Sequence, residues 1–141
     1  MRIADWQGEV VTPEELRNRT RAFAGEIVRL VEAMPRSRSA DVIGNQLMRA
    51  GTSVAANYRS ACRARSRREF IAKMGIVEEE ADETELWLDL AAEQRLGPPQ
   101  RVEALRVEAG QLVAIMVSSI RTARRSGRSN PQSAIRNPQC S

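Results

Sequence analysis

Apolar side chains recur in alternating steps of four and three residues along most of the chain, which is the spacing of one face of an α-helix. The first stripe follows a segment in which Thr12 can cap a helix, Pro13 suits the first helical position and Glu15 completes a capping box. We therefore predict a first helix from this cap to the Met34-Pro35 pair. Its stripe consists of Leu16, Thr20, Phe23, Ile27, Leu30 and Met34.

Three further stripes predict three further helices. The second helix is expected to begin with Ser39 as its cap and to end in the arginine-rich stretch around Arg65. The third is expected to begin at a second capping box, Ser66 and Glu69, and to end before the stop at Gly97–Pro99. The stripes are Ile43, Leu47, Ala50, Val54, Asn57 and Ala61 in the second helix, Phe70, Met74, Val77, Ala81, Thr84, Leu88 and Ala91 in the third, and Val102, Leu105, Ala109, Leu112, Met116, Ser119 or Ile120, and Ala123 in the fourth.

These four helices with short connections predict an all-α fold, because sequential helices joined by short loops pack as antiparallel neighbours. We expect an antiparallel up-down-up-down four-helix bundle over residues 12–125, with no competing strand pattern. Residues 1–11 are expected to form an N-terminal arm. Residues 126–141, rich in Ser, Asn, Pro, Gln and Arg, are expected to form a disordered basic tail.

The composition supports helices and narrows the chemistry. The chain is 42% hydrophobic but only 4% aromatic, so that Ala, Leu, Val and Ile must build the core. It contains no histidine, the commonest general base and metal ligand, and no phosphate-binding loop or Ser/His/Asp set. We therefore expect no enzyme activity, no metal site and no cofactor.

The two cysteines do not predict a disulfide, because Cys62 lies in the helical region and Cys140 near the end of the tail. Cys62 is interpreted as a small packed residue rather than as a nucleophile. No segment has the length and hydropathy of a membrane span or a signal peptide. These features predict a cytoplasmic protein with no membrane partner.

Charge is distributed unevenly along the chain, although the net charge is only +4. Residues 36–68 carry eight arginines and one acid, whereas residues 69–95 carry nine acids and two bases. One interpretation is mutual neutralisation across a helix hairpin, and the other is a subunit interface or a nucleic-acid surface. The register of that hairpin predicts that Arg49 pairs with Glu83 or Glu80.

Asn57 lies on the apolar stripe of the second helix, where a polar side chain costs stability unless it is hydrogen-bonded. We predict that Asn57 fixes register or oligomeric state rather than contacting a ligand. The hairpin register places it level with Gly75, where we predict a close approach of the two helices. Tyr58 and Trp87 are interpreted as packing residues rather than as platforms for stacked bases.

The second and third helices resemble a known family. The segment NQLMRAGTSVAANYRSA, followed by SRREFIAKMGIVEEEADETELWL, resembles the four-helix-bundle family first described from open reading frames in intervening sequences of bacterial 23S rRNA genes. This family is similar to the accessory variability protein of diversity-generating retroelements. The chain departs from the family pattern at Arg59 and Ser60, where an acid is common, and at Leu86, where an aromatic residue is usual. The matching positions are Gln46, Leu47, Arg49, Ser53, Ala56 and Asn57, then Ser66, Glu69, Phe70, Ile71 and Lys73, and finally Glu80, Ala81, Glu83, Thr84, Trp87 and Leu88.

The resemblance implies a non-enzymatic bundle that assembles as a homopentamer and, in the retroelement branch, binds a reverse transcriptase and nucleic acid. We therefore expect an oligomeric adaptor that binds RNA or DNA electrostatically and docks a partner such as a reverse transcriptase. The alternative is a purely structural homo-oligomer without nucleic-acid binding. The expected phosphate contacts are Arg59, Arg63, Arg65, Arg67, Arg68, Arg121, Arg124 and Arg125.

Overall fold

Four helices packed against one another form the body of the protein. A computed structural model of the chain describes residues 3–4 and 10–129. Helix α2 packs against α1 and α3, α3 packs against α4, and α1 and α4 touch less extensively. The predicted all-α architecture of four packed helices is confirmed. The elements are β1 (Ile3–Ala4), β2 (Val10–Val11), α1 (Pro13–Glu32), α2 (Arg38–Ala61), α3 (Arg67–Glu93) and α4 (Pro99–Ser129).

The two short strands were not predicted. They pair antiparallel, with Ile3 opposite Val11 and Ala4 opposite Val10. Strand β1 lies against α4, and the Val11 side chain is buried with the core. Strands of two residues are too short to produce an alternating pattern in the sequence, which explains why none was expected.

The helix starts follow the predicted caps with one shift. At α1, the Thr12 hydroxyl accepts from the Glu15 amide at 3.1 Å, and the Glu15 carboxylate accepts from the Thr12 amide at 3.1 Å, which confirms the capping box. At α2, the cap is Ser37, whose hydroxyl accepts from the Ala40 amide at 3.1 Å. The prediction of Ser39 was wrong by two residues.

The core stripe of α2 also differs from the prediction at one position. Tyr58 is fully buried between Val54 and Ala61, whereas Asn57 is only half-buried. The Asn57 side-chain amide donates to the Ser53 carbonyl of its own helix at 2.9 Å. The placement of Asn57 on the core stripe was therefore wrong, and its hydrogen bond is satisfied without a neighbouring helix. The interpretation of Tyr58 as a packing residue is confirmed.

The glycine of α2 that permits a close approach is Gly51, and its neighbour is α1 rather than α3. A Cβ added to Gly51 would lie 2.9 Å from both γ carbons of Ile27. A Cβ added to Gly75 would have no neighbour within 4 Å. The predicted close approach at Gly75 was therefore wrong.

Helix α4 continues to Ser129, beyond the boundary expected at residue 125. The remainder of the predicted tail, residues 130–141, lies outside the described residues. Among the helices that the structure describes, none is long and apolar enough to cross a membrane.

Candidate nucleic-acid interface

One end of the bundle gathers arginines from all four helices. The Arg67 guanidinium at the start of α3 donates to the carbonyl oxygen of Ala123 at 2.9 Å, which places the end of α4 beside the turn between α2 and α3. A groove of about 820 Å³ is lined by the start of α1 and the end of α2. The eight predicted arginines therefore lie at this end, which we call the arginine end. Its members are Arg59, Arg63, Arg65, Arg67, Arg68, Arg121, Arg124 and Arg125, together with Arg17 and Arg21 from the groove.

The turn that presents the central arginines is held by a displaced capping box. The Ser66 hydroxyl accepts from the Glu69 amide at 3.1 Å, as expected for a cap. The Glu69 carboxylate, however, accepts from the amide of Arg65 at 2.9 Å rather than from that of Ser66. It also pairs with Lys73 at 3.3 Å. The Arg65 amide and then Lys73 lower the pKa of Glu69 below its ordinary value, so this carboxylate stays ionised in its capping role.

Most of the predicted phosphate contacts are exposed. Arg67 is half-buried, and the other seven arginines are exposed. Their charge is available at the surface, because no carboxylate in the described part of the chain forms an ion pair with six of them. These six are Arg59, Arg63, Arg65, Arg68, Arg121 and Arg124.

Arg67 has a different environment from the other predicted arginines. Besides its hydrogen bond to Ala123, its guanidinium lies over Gly127, where any side chain would collide with it. Ala123 lies six residues before the end of α4, but Gly127 lies in the last turn, where the helix dipole favours a cation such as Arg67. We therefore assign Arg67 to the contact between α3 and α4 rather than to the predicted phosphate-binding set.

Two arginines of α1 belong to the arginine end although they were not predicted. Arg17 and Arg21 line the groove opposite Arg59 of α2 and Arg63 of the turn that follows α2. The only signal in the sequence was their spacing of four residues, which places both on one face of a helix. Their position next to α2 depends on tertiary packing, which the charge pattern along the chain does not reveal.

The second predicted set of polar residues lies between α2 and α3. The Arg49 guanidinium pairs with Glu80 at 3.2 Å and also with Glu83. The Trp87 indole donates to the same Glu83 carboxylate at 3.3 Å. The hydrogen bond from Arg49 is the main cause that lowers the pKa of Glu83. Part of the opposite charge on α2 and α3 is thus neutralised within the hairpin, away from the arginine end.

The negative charge on the side of α3 that faces α4 is less completely neutralised by ion pairs. Arg106 pairs with Asp89 at 2.7 Å. Burial, with the nearby charges of Asp89 and Asp82, raises the pKa of Glu85. Within the described chain, no three Cys, Asp or Glu side chains are grouped so that they could hold a metal ion.

Comparisons with known proteins show which family this chain resembles. The family model described as 23S rRNA-intervening sequence protein matches residues 14–118. The chain is also similar to a crystal structure of a protein with unknown function, from the S23 ribosomal protein family, of Bacteroides thetaiotaomicron. The two chains share 30% sequence identity and a TM-score of 0.71, and the match covers 77% of this chain and 97% of the other. No curated protein matches the sequence significantly.

Proposed function

Because this chain belongs to the 23S rRNA-intervening sequence protein family, we propose that it is a non-enzymatic, oligomeric adaptor that binds nucleic acid through the arginine end. The observation that carries the proposal is the group of six exposed arginines without an ion pair to any described carboxylate. A guanidinium matches phosphate oxygens in pairs of parallel hydrogen bonds, which makes arginine well suited to such contacts.

The mechanism is electrostatic. Each arginine that neutralises a phosphate releases a counterion, so affinity falls as salt rises. Six contacts correspond to a log–log slope of about −4 for single strands and about −5 for duplex DNA. Phosphate contacts position a nucleic acid but do not read its sequence, so little sequence preference is expected.

The test is a comparison of two quadruple variants with the same change in net charge. The first replaces Arg59, Arg63, Arg65 and Arg68 by Gln. The control replaces four exposed arginines at the opposite end of the bundle, namely Arg36, Arg38, Arg95 and Arg101. Fluorescence anisotropy with a structured RNA and a duplex DNA then gives affinity at several salt concentrations.

We expect the first variant to lose at least tenfold in affinity and to reduce the slope by about 3. The control should keep a slope close to that of the unmodified protein. Equal losses in the two variants would show that net charge alone matters and would reject the arginine end as the interface.

We further propose that the helices form an antiparallel up-down-up-down bundle and that five copies form a ring. Two α2–α3 contacts support the antiparallel order, since Lys73 lies 2.8 Å from Ser60 while Arg49, earlier in α2, meets Glu80, later in α3. Native mass spectrometry should give five times the 15.7 kDa of one chain. A monomer at micromolar concentration would contradict the ring.

The resemblance to the accessory variability protein favours a cytoplasmic reverse transcriptase as the protein partner. Co-purification of this chain with a reverse transcriptase encoded in the same genome tests that part of the proposal. The expected result is a complex that survives nuclease treatment. A complex that disappears with the nucleic acid would show that no direct protein contact exists.

A second candidate function is a purely structural homo-oligomer. It is favoured by the exposed acidic face of α3, where Glu79 and Asp82 lie opposite in sign to the arginine end. This function predicts no nucleic-acid affinity at physiological salt. It also predicts that the first quadruple variant dissociates into smaller species, whereas the adaptor function predicts an unchanged oligomer.

A further inference from the structure

The groove between α1 and α2 has basic walls and a floor of small side chains. Four arginines line it, and the described residues that line it include no carboxylate. The floor and rim are formed by small or uncharged side chains, namely Asn18, Thr20, Thr52, Ala55, Ala56 and Cys62. Because no aromatic ring is among these lining residues, the groove offers charge to a ligand rather than a stacking platform.

The four arginines are staggered along the groove. Ile27 meets Gly51 and Val31 meets Gly44, so positions later in α1 face positions earlier in α2. Following this register, Arg17 lies level with the last turn of α2, which contains Arg59. Arg21 lies one turn further into α1, and Arg63 lies in the turn beyond α2. Arg17 and Arg21 are four residues apart, which is about 6 Å along a helix. Successive phosphates of one stacked strand rise about 3.4 Å each, so this pair spans about two nucleotide steps.

The size of the groove limits its occupant. Its volume of about 820 Å³ is in the range of a site for a small ligand. A short stretch of one strand fits such a volume, whereas a duplex can touch only the rim.

We infer that the α1–α2 groove binds the sugar–phosphate backbone of single-stranded nucleic acid, whose phosphates contact the arginines that line the groove, namely Arg17, Arg21, Arg59 and Arg63. This inference rests on the proposed function, but it adds two residues of α1 that the proposed interface does not need. It also gives the protein a preference for single strands over duplexes. The 2′-hydroxyl distinguishes RNA from DNA, so both are used as probes.

The test uses Arg17→Gln with Arg21→Gln, compared with two matched double variants. Arg121→Gln with Arg124→Gln removes the same charge from the arginine end outside the groove. Arg36→Gln with Arg38→Gln removes it from the opposite end. Anisotropy is measured with a ten-nucleotide single-stranded RNA, the same sequence as DNA, and the corresponding duplexes.

The groove variant should bind both single strands about tenfold more weakly, with a salt slope reduced by about 1.4, and should bind duplexes as before. The pair at Arg121 and Arg124 should not change the ratio of single-strand to duplex affinity. Equal losses on single strands and duplexes would overturn the inference while leaving the proposed function intact. Failure of the unmodified protein to bind any probe would overturn both.

A footprint provides a second readout that needs no change in the groove. Cys62 lines the groove, so a bound strand should slow its alkylation in a Cys140→Ser background. We expect at least fivefold protection by single-stranded RNA or DNA and little by duplex. Unchanged alkylation at saturating single strand would overturn the inference. Dissociation of the oligomer in the groove variant, with nucleic-acid affinity unchanged, would instead identify the groove as a contact between copies.

Discussion

Replacing Gly51 and Gly75 by alanine, one at a time, is expected to change stability in opposite directions. Both residues lie inside helices, where glycine costs about 1 kcal/mol relative to alanine. At Gly75 an added Cβ meets open space, so this gain is retained in full. We therefore expect Gly75→Ala to raise the free energy of unfolding by about 1 kcal/mol.

At Gly51 the same methyl group has no room. Its Cβ would lie 2.9 Å from both γ carbons of Ile27 and 3.1 Å from the Cβ of that residue. Ile27 is fully buried, and its branched side chain has little rotamer freedom with which to move aside. Overpacking of this kind costs about 1–3 kcal/mol. Against a gain of about 1 kcal/mol in helix propensity, Gly51→Ala should be destabilising by about 1 kcal/mol.

Thermal unfolding followed by circular dichroism measures both effects. With an unfolding entropy of about 2.1 cal/mol/K per residue, 1 kcal/mol shifts the Tm of a chain of this length by about 3–4 °C. The two variants should therefore differ by about 7 °C. A double-mutant cycle with Ile27→Ala should show coupling at Gly51 and none at Gly75. Equal stabilisation by both alanines would refute the assigned contact between α1 and α2.

The remaining predictions concern three substitutions of charged side chains. The raised pKa of Glu85 means that the folded state binds this proton more tightly than the unfolded state, so stability falls as pH rises from about 4.5 through the folded pKa. Glu85→Gln should remove this loss of stability. The urea midpoint of the variant should therefore be higher than that of the unmodified protein, and the difference should be larger at pH 7 than at pH 4. The lowered pKa of Glu83 has the opposite sign, since its stabilisation is present above the ordinary pKa and is lost as pH falls through the folded pKa. Arg49→Gln should raise the pKa of Glu83 in an NMR titration but change the free energy of unfolding little, because the ion pair is exposed to solvent. Arg67→Gln should speed amide exchange in the last turns of α4 by about tenfold, because the carbonyl of Ala123 loses a charged donor.

Each of these three predictions has an outcome that contradicts it. An advantage of Glu85→Gln that is the same at both pH values would show that burial does not perturb this carboxyl group. An unchanged pKa of Glu83 in the Arg49→Gln variant would mean that the ion pair between Arg49 and Glu83 does not form in solution. Exchange that rises equally throughout α4 in Arg67→Gln would indicate global destabilisation rather than loss of a local contact.

The helices could be predicted because their apolar spacing and caps are local features. Thr12 and Ser66 cap as expected, since a hydroxyl before a Glu three residues later satisfies free amides wherever the helix packs. The cap of α2 was predicted at Ser39, whereas the structure uses Ser37, a serine two residues earlier. In α2, steps of three or four residues both follow the helical period, so the pattern alone did not distinguish Asn57 from Tyr58.

The candidate interface was predictable only in part. The arginines around the α2–α3 turn lie close together in the sequence, and their exposure follows from the turn itself. Arg17 and Arg21 join them through packing of α1, and Arg67 is withdrawn from them by its contact with α4. The two glycines also show that packing cannot be read from the sequence. Gly51 and Gly75 both lie inside predicted helices, but Gly51 faces a packed helix and Gly75 faces open space.

The central claim is that the arginine end binds nucleic acid by neutralising phosphates. Its most direct test is the salt dependence of structured-RNA affinity, measured for the unmodified protein and for the variant with Arg59, Arg63, Arg65 and Arg68 replaced by Gln. We predict a log–log slope between about −4 and −5 for the former and between about −1 and −2 for the latter. Identical slopes, or no binding by the unmodified protein at 50 mM salt, a concentration at which phosphate contacts are strong, would contradict the claim.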